Sequence, residues 1–310
     1  MVDSDIELFF QTRLADLAEN QSDCNYPEDW PSSSEIEILC KKAAGFFIYA
    51  STVIKFVISK SRTPAEQLNR ITSLPQSTSH EGRSGIDLLY AQVLEQAIDD
   101  VDVDDEDLHS RLKTAIGAVL LTFSPLSAKT LSGLLKVPSI STTLRPLHSL
   151  LLVPDSAEDP IHIHHKSFPD FLMDPERCKD KRFFVDPSVH HRKLLLSCLD
   201  LMRERLRRNI CNLDDYAVLS KVKDLPTYLK THIGDALGYS CQFWTRHLVQ
   251  IPSSSHNMEG VYKEIDGFFT TCFPFWIEVL SLTGNLDVGV YALNDVQQWY
   301  LLVSCVWPTY

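Results

Sequence analysis

Three of the chain's eleven histidines fall within four positions, in the stretch IHIHHKSFPDFL at 161–172. Imidazole is the commonest metal ligand and the side chain best suited to proton transfer near neutral pH. A metal site and a catalytic base are therefore the first readings. Ile161-His162-Ile163-His164 alternates apolar and polar residues. That pattern predicts a half-buried strand with His162 and His164 on one face and His165 turned the other way. Two imidazoles on a strand face bind zinc only when further ligands arrive from elsewhere. The chain has no Cys-x-x-Cys, His-x-x-x-His or His-Glu-x-x-His stretch to supply them, so no metal site is predicted. A second stretch, DDVDVDDED at Asp99–Asp107, spaces Asp100, Asp102 and Asp104 as a calcium loop does. Such a loop needs glycine sixth and glutamate twelfth, where this chain has Asp105 and Arg111. The stretch reads instead as a solvated acidic loop before a helix N-terminus, where the helix dipole favours negative charge.

Motifs for catalysis are missing. There is no Gly-x-Ser-x-Gly elbow. There is no Gly-x-x-x-x-Gly-Lys-Ser/Thr phosphate loop and no glycine-rich dinucleotide turn after a strand. His190, His191 and His232 have no evident nucleophile partner. No catalytic residue is assigned, and the chain is not expected to be an enzyme.

Composition narrows the remaining classes. The 310 residues are 44% hydrophobic and 23% charged, an ordinary globular balance. A net charge of −12 repels phosphate backbones, so nucleic-acid partners are not expected. The eight cysteines are scattered without a disulfide-framework spacing, which fits buried free thiols in a reducing compartment. The N-terminal MVDSDIELFF is acidic where a secretory signal is basic. The most apolar stretch, 43–59, is interrupted by Lys55 and short for a bilayer span. The expectation is a soluble cytoplasmic chain with no membrane partner.

The elements that must position the histidines follow from periodicity. Ile6, Phe9, Phe10, Leu14 and Leu17 recur at helical spacing. A loop over 21–34 leads to a helix capped by Ser34 with Glu37, and Gly45 breaks that helix in two. Residues 71–85 read as a linker, and Ser84 caps a helix over IDLLYAQVLEQA. Segment 109–172 reads as helix, helix from Ser127, helix near Thr143 with Pro146 in its first turn, strand, turn, strand. That is the winged-helix order, with a helix-turn-helix inside it. A DNA reader needs base-contacting side chains on the third helix, which offers only Arg145 and His148, beside the acidic wing PDSAEDP. Beyond 186 the chain reads as helices, the first with an apolar stripe at Val189, Leu194, Leu195, Cys198, Leu199, Met202, Leu206 and Ile210. Arg203, Arg205, Arg207 and Arg208 form a solvated basic cluster near its end.

Several stretches occur in a specific order: AAGFFIYASTVIKFV, IDLLYAQVLEQA, SPLSAKTLSGLL, LRPLHSLLLV, HKSFPDFLMDPERC, LRRNICNL, YSCQFWTRHL and FWIEVLSLTGNL. From Asp5 to about Trp299 this order resembles the region that follows the nucleotide-binding core of fungal NACHT-type STAND proteins, which are signal-transducing NTPases. The resemblance implies a mainly α chain. It would comprise a remnant of the nucleotide-binding domain or a connecting helix at 1–34, a helical lid and linker at 35–85, a winged-helix domain with a small β-hairpin at 86–180, and a C-terminal helical domain at 181–310. The family usually carries a P-loop domain before this region, and repeats after it. ATP or ADP is the nucleotide of the intact family, and no cofactor is expected in this chain alone. The resemblance places His165 where a winged-helix histidine touches the β-phosphate of bound ADP. It makes Ser167 and Asp170 a capping pair for the next helix. It sets Gly45 and Phe47 at the lid's Gly-x-Pro motif near the adenine, with Phe47 in place of proline.

The resulting expectation is a non-catalytic, nucleotide-state-sensing switch fragment in fungal defence or self-recognition signalling. Its partners would be a P-loop domain and other protein domains. The alternatives are a stand-alone helical adaptor for protein partners and a DNA-binding winged-helix protein.

Overall fold

The computed structural model describes residues 2–20, 26–27, 29–58, 62–74, 85–99, 106–214, 222–252 and 258–306. Among them the chain is mainly helical, with one two-stranded hairpin. It forms two compact units, interleaved in sequence: 1–120 with 141–185, and 121–140 with 186–310.

The first unit begins with α1 (Val2–Asn20), whose Ile6, Phe10 and Leu14 form a buried stripe at four-residue spacing. α1 packs on α2 (Ser33–Ala43) and α3 (Phe47–Val57). The cap of α2 is Ser32, not the expected Ser34. Its Oγ accepts from Glu35 N–H at 3.2 Å, and Glu35 Oε2 accepts from Ser32 N–H at 2.8 Å. Both serines precede a glutamate by three residues, and Ser32 takes the cap, standing outside the helix in extended backbone. Ala44 and Gly45 take left-handed backbone, with φ of 47° and 81°, and break the apolar run into two helices as Gly45 predicts. α4 (Pro64–Thr72) starts with a second capping box, Thr63 and Glu66, and Pro64 in its first turn. Its last carbonyls are closed by Lys42, whose Nζ donates to Ile71 O, Thr72 O and Leu74 O at 2.6 to 2.9 Å.

α5 (Gly85–Asp99) packs on α2 and α3. Gly85 lies where a Cβ would stand 2.7 Å from the Lys42 carbonyl oxygen, so only glycine permits the approach. Its expected cap, Ser84, lies outside the described residues, as does the acidic run at 100–105. α6 (Glu106–Leu121) ends the first sequence segment of this unit. The chain returns in α8 (Ile140–Leu144), which begins before the expected Thr143. It gives way at Arg145-Pro146 to a 3-10 turn, Arg145–Leu147, as the proline ring requires. The hairpin pairs β1 (Leu151–Leu152) antiparallel with β2 (His162–Ile163), Leu151 opposite Ile163 and Leu152 opposite His162. α9 (Ser167–Met173) follows, and Phe168 and Phe171 pack on the Tyr90 ring of α5. The loop after α9 is anchored by Arg177, which grips the buried Asp87 carboxylate through Nε at 3.1 Å and Nη2 at 2.6 Å.

The second unit contains α7 (Ala128–Leu135), capped by Ser127 as expected, and α10 (Pro187–Arg205), capped by Asp186. α11 (Leu225–His232), α12 (Gly234–Leu248), α13 (Met258–Thr271), α14 (Phe273–Leu282) and α15 (Leu286–Val306) complete it. α10 lies along α12, and α7 packs on both. Most of the expected stripe of α10 is buried, but Val189 is exposed. The neighbouring His190 and His191 take the inward positions. Trp244, Phe268 and Trp276 meet edge to face or tilted at 4.8 to 6.1 Å, and Trp276 Nε1 donates to Cys241 O. A Cβ at Gly289 would come within 2.9 Å of Leu280, so glycine lets α15 close on α14. Cys40, Cys178, Cys198, Cys211, Cys241 and Cys272 are free thiols, and all but Cys40 are buried.

Among the described residues no single helix is long and apolar enough to cross a membrane. The bent pair α13 and α14 passes that test by composition, and its apolar residues Val261, Ile265, Phe268 and Trp276 are buried in this unit.

Candidate functional site

The hairpin positions the histidines. His162 is exposed on β2, and His164 N–H extends the ladder to Leu150 O at 3.0 Å. The His164 ring donates from Nε2 to His148 O at 3.1 Å, and His148 Nε2 donates to Lys55 O at 2.9 Å. These bonds staple the hairpin to the C-terminal end of α3. Burial, and then the positive charge of Lys55, lowers the pKa of His164, against the opposing effect of its bond to His148 O.

His165 lies between the end of β2 and the start of α9, and it is exposed. Its Nδ1 accepts from Ser167 N–H at 3.1 Å and lies 2.7 Å from Ser167 Oγ. Ser167 Oγ lies 2.6 Å from the Tyr90 hydroxyl. A backbone N–H can only donate, so Nδ1 carries a lone pair and the neutral ring has its proton on Nε2. The self-consistent chain runs from Tyr90 O–H to Ser167 Oγ, and from Ser167 O–H to His165 Nδ1. Burial raises the pKa of Tyr90 and keeps its hydroxyl protonated for that role. Ser167 is thus occupied by His165 and Tyr90 and makes no cap with Asp170. The residue before α9 is Lys166, with no side-chain capping bond.

Gly45 and Phe47 have different surroundings. A Cβ at Gly45 would find only Asp3 Oδ1, 3.8 Å away, and the half-exposed Phe47 ring meets Phe9 at 5.6 Å. Both residues lie at the N-terminal end of α3. His164 is tied through His148 to the other end, eight residues and about 12 Å of rise away. Leu8, Phe46 and Phe47 are exposed at 62%, 66% and 46%.

Among the described residues no three His, Cys, Asp or Glu side chains gather as a metal cluster. The two residues a DNA reader would use are engaged: His148 with Lys55, and Arg145 with Asp155 at 3.7 Å.

One polar array in the second unit carries no local sequence signal. Phe123 N–H donates to Tyr239 Oη at 3.2 Å, and Tyr239 Oη lies 2.9 Å from His247 Nε2. His247 Nδ1 lies 2.8 Å from His191 Nδ1. With the Tyr239 oxygen already accepting, its proton goes to Nε2, so His247 carries its proton on Nδ1 and donates to His191. Burial, then the charges of His191 and Arg246, push the His247 pKa down to about 3. Arg246 stacks over Phe123 at 4.1 Å. His191 and His247 are 56 positions apart and meet because α10 lies along α12. Two isolated histidines in sequence cannot announce that.

Vegetative incompatibility protein HET-E-1 of Podospora anserina is 24% identical to this chain over 318 residues, which span 94% of the chain and 21% of that protein. The chain is distantly related to it and spans about a fifth of its length. No family model matches the chain, and no solved structure does.

Proposed function

We propose that this chain is a non-catalytic regulatory part of a NACHT-type STAND signalling NTPase, and that it reads the nucleotide held by a P-loop domain. The observation that carries the reading is the fixed ring of His165. Ser167, itself held by Tyr90, occupies Nδ1, which leaves the Nε2–H as the donor on an exposed imidazole. A phosphate oxygen accepts such a donor well, and Lys166 beside it is also exposed.

The residues fit a nucleotide in part. His165 suits a phosphate. Gly45 and Phe47 stand about 12 Å of helix rise from the hairpin staple, so they answer to the far end of a ligand rather than to the same pocket. A diphosphate supplies negative charge at one end and an aromatic base at the other. This chain offers donors for the first and an apolar corner for the second. The element order α6, α7, α8, β1, β2, α9 supports the winged-helix reading of this stretch, although α7 belongs to the second compact unit, and α2 to α4 support the lid reading. The distant relation to a vegetative incompatibility protein supports a signalling role with protein partners.

A stand-alone adaptor is the second reading. It is favoured by the exposed Phe46, Phe47 and Leu8, a patch suited to another domain.

The test supplies a P-loop domain of the resembled family in trans and measures fluorescent ADP binding. His165→Ala is expected to weaken ADP binding about tenfold, the worth of one charge-assisted hydrogen bond. An affinity unchanged by His165→Ala, in a complex that still forms, refutes the phosphate contact. The chain alone is expected to show no ATP turnover above a mock preparation, because its sequence offers no phosphate loop.

A further inference from the structure

A cavity of about 330 Å³ lies between α12 and α15 in the second unit. Gln242, Thr245 and Arg246 line it from α12, and Val288, Tyr291 and Asp295 from α15. Each set follows the three- and four-residue spacing that puts side chains on one face of a helix. The polar groups among them are left unused by the protein. Among the described residues, the Gln242, Thr245 and Asp295 side chains make no hydrogen bond or ion pair. Thr245 is only 2% exposed, and a hydroxyl so buried ordinarily has a partner. A helical threonine finds one in the carbonyl four residues earlier. Here that carbonyl, Cys241 O, accepts from Trp276 Nε1 at 2.8 Å, and the Thr245 hydroxyl is left for the cavity that it lines. Arg246 is held by ring faces instead of acids. Its guanidinium carbon lies 4.1 Å from the centre of the Phe123 ring and 5.7 Å from that of Phe243. Stacking fixes the guanidinium plane and uses none of the N–H groups on its edge. Among the described residues no carboxylate comes within 4 Å of Arg246, so Asp295, in the same cavity, stands out of ion-pair reach.

We propose that this cavity binds a small zwitterion, a free α-amino acid with a bulky apolar side chain. Charge is the first argument. A guanidinium and a carboxylate that share a cavity without pairing leave room between them for a ligand that carries both charges. The ligand carboxylate takes the free edge of Arg246 in a bidentate pair, and its ammonium group meets Asp295. A simple anion would be repelled by Asp295, and a simple cation by Arg246. The Thr245 hydroxyl and the Gln242 amide add neutral donors and acceptors beside them. The remaining walls are the second argument. Phe243 and Val288 offer apolar surface to the ligand side chain, and the Tyr291 ring, 70% exposed, stands at the mouth. Size is the third. The volume lies near the lower end of the range for small-molecule sites, which suits an amino acid and not a dinucleotide.

The experiment is calorimetric titration of the purified chain with L-phenylalanine and with L-leucine. Two analogues of phenylalanine that each lack one charge, 3-phenylpropionate and phenethylamine, are titrated beside them. At least one of the amino acids is expected to bind with a dissociation constant of about 1 mM or lower, as a well-placed ligand of that size does. Loss of either charge from the ligand is expected to weaken binding about tenfold. Asp295→Asn, a nearly isosteric change at a half-buried position, is expected to weaken the amino acid about tenfold while 3-phenylpropionate binds at least as well as before. A damaged fold cannot produce that reversal. Arg246→Gln is expected to do the converse, weakening the amino acid and sparing phenethylamine. A chain that takes up neither amino acid overturns the proposal. Binding that both substitutions leave unchanged, or that the one-charge analogues match, overturns it as well.

Discussion

His191 and His247 show how packing sets protonation. Their Nδ1 atoms lie 2.8 Å apart in the core, and no arrangement lets both rings be cationic there. His247 is held neutral with its pKa pushed to about 3, and burial lowers that of His191 as well. In the unfolded chain each returns to about 6.5. Between those values the unfolded state binds more protons, so stability is complete above about pH 6.5 and falls as pH drops toward 3. Urea unfolding at pH 7 and pH 5 is expected to show that loss, by up to about 1.4 kcal/mol per pH unit for His247, with His191 adding in the same direction. His247→Phe should flatten the slope by about one proton, and an unchanged slope would place the titrating groups elsewhere. Tyr239→Phe removes the acceptor of Phe123 N–H and the donor to His247. It is expected to cost about 1–3 kcal/mol at pH 7, read from the same curves. None of this was legible in the sequence, because Tyr239 and His247 are eight positions apart on α12 and His191 is on another helix. His165 was legible in its place between strand and helix. Its tether to Tyr90 was not, since it spans 77 positions in sequence.

Helix ends and breaks are local events, and sequence reasoning succeeded there except where two local rules competed. Gly45 broke the apolar run because backbone at φ 81° is a glycine conformation, and Ser127 capped α7 because it stands in extended backbone ahead of it. Ser34 lost to Ser32, since two serines with glutamates at the same spacing compete and Ser32 is the one that stands in extended backbone outside the helix. Ser167 lost its capping role because Tyr90 and His165 claim its hydroxyl. Ser32→Ala is accordingly expected to cost about 1 kcal/mol, and Ser34→Ala only a few tenths. Equal losses in thermal midpoint would show that the cap is shared. Gly85 shows the long-range limit of local reading. Its need for glycine comes from the Lys42 carbonyl, 43 positions away, and no turn signal marks it.

The molecule divides its chain in a way that periodicity cannot show. The expected boundaries at 35–85, 86–180 and 181–310 follow sequence order, whereas the two units interleave. The cause is α7, whose buried face is made by α10 and α12, elements that begin more than fifty residues later. Helical spacing reveals that α7 has a buried face but not which helix covers it. Each unit has its own core: Tyr49, Leu68, Tyr90 and Phe168 in the first, Trp244, Phe268 and Trp276 in the second. Tryptophan fluorescence therefore reports mainly on the second unit, where Trp244, Trp276 and Trp299 are buried, while far-ultraviolet circular dichroism reports helices in both. Gly85→Ala places a methyl group against a backbone oxygen in the first unit, an overlap expected to cost about 1–3 kcal/mol. Separate cores predict separate effects. The substitution should lower the dichroism midpoint and broaden that transition, while the fluorescence midpoint stays near its original value. Coincident shifts in both signals would mean that the two cores melt as one cooperative body.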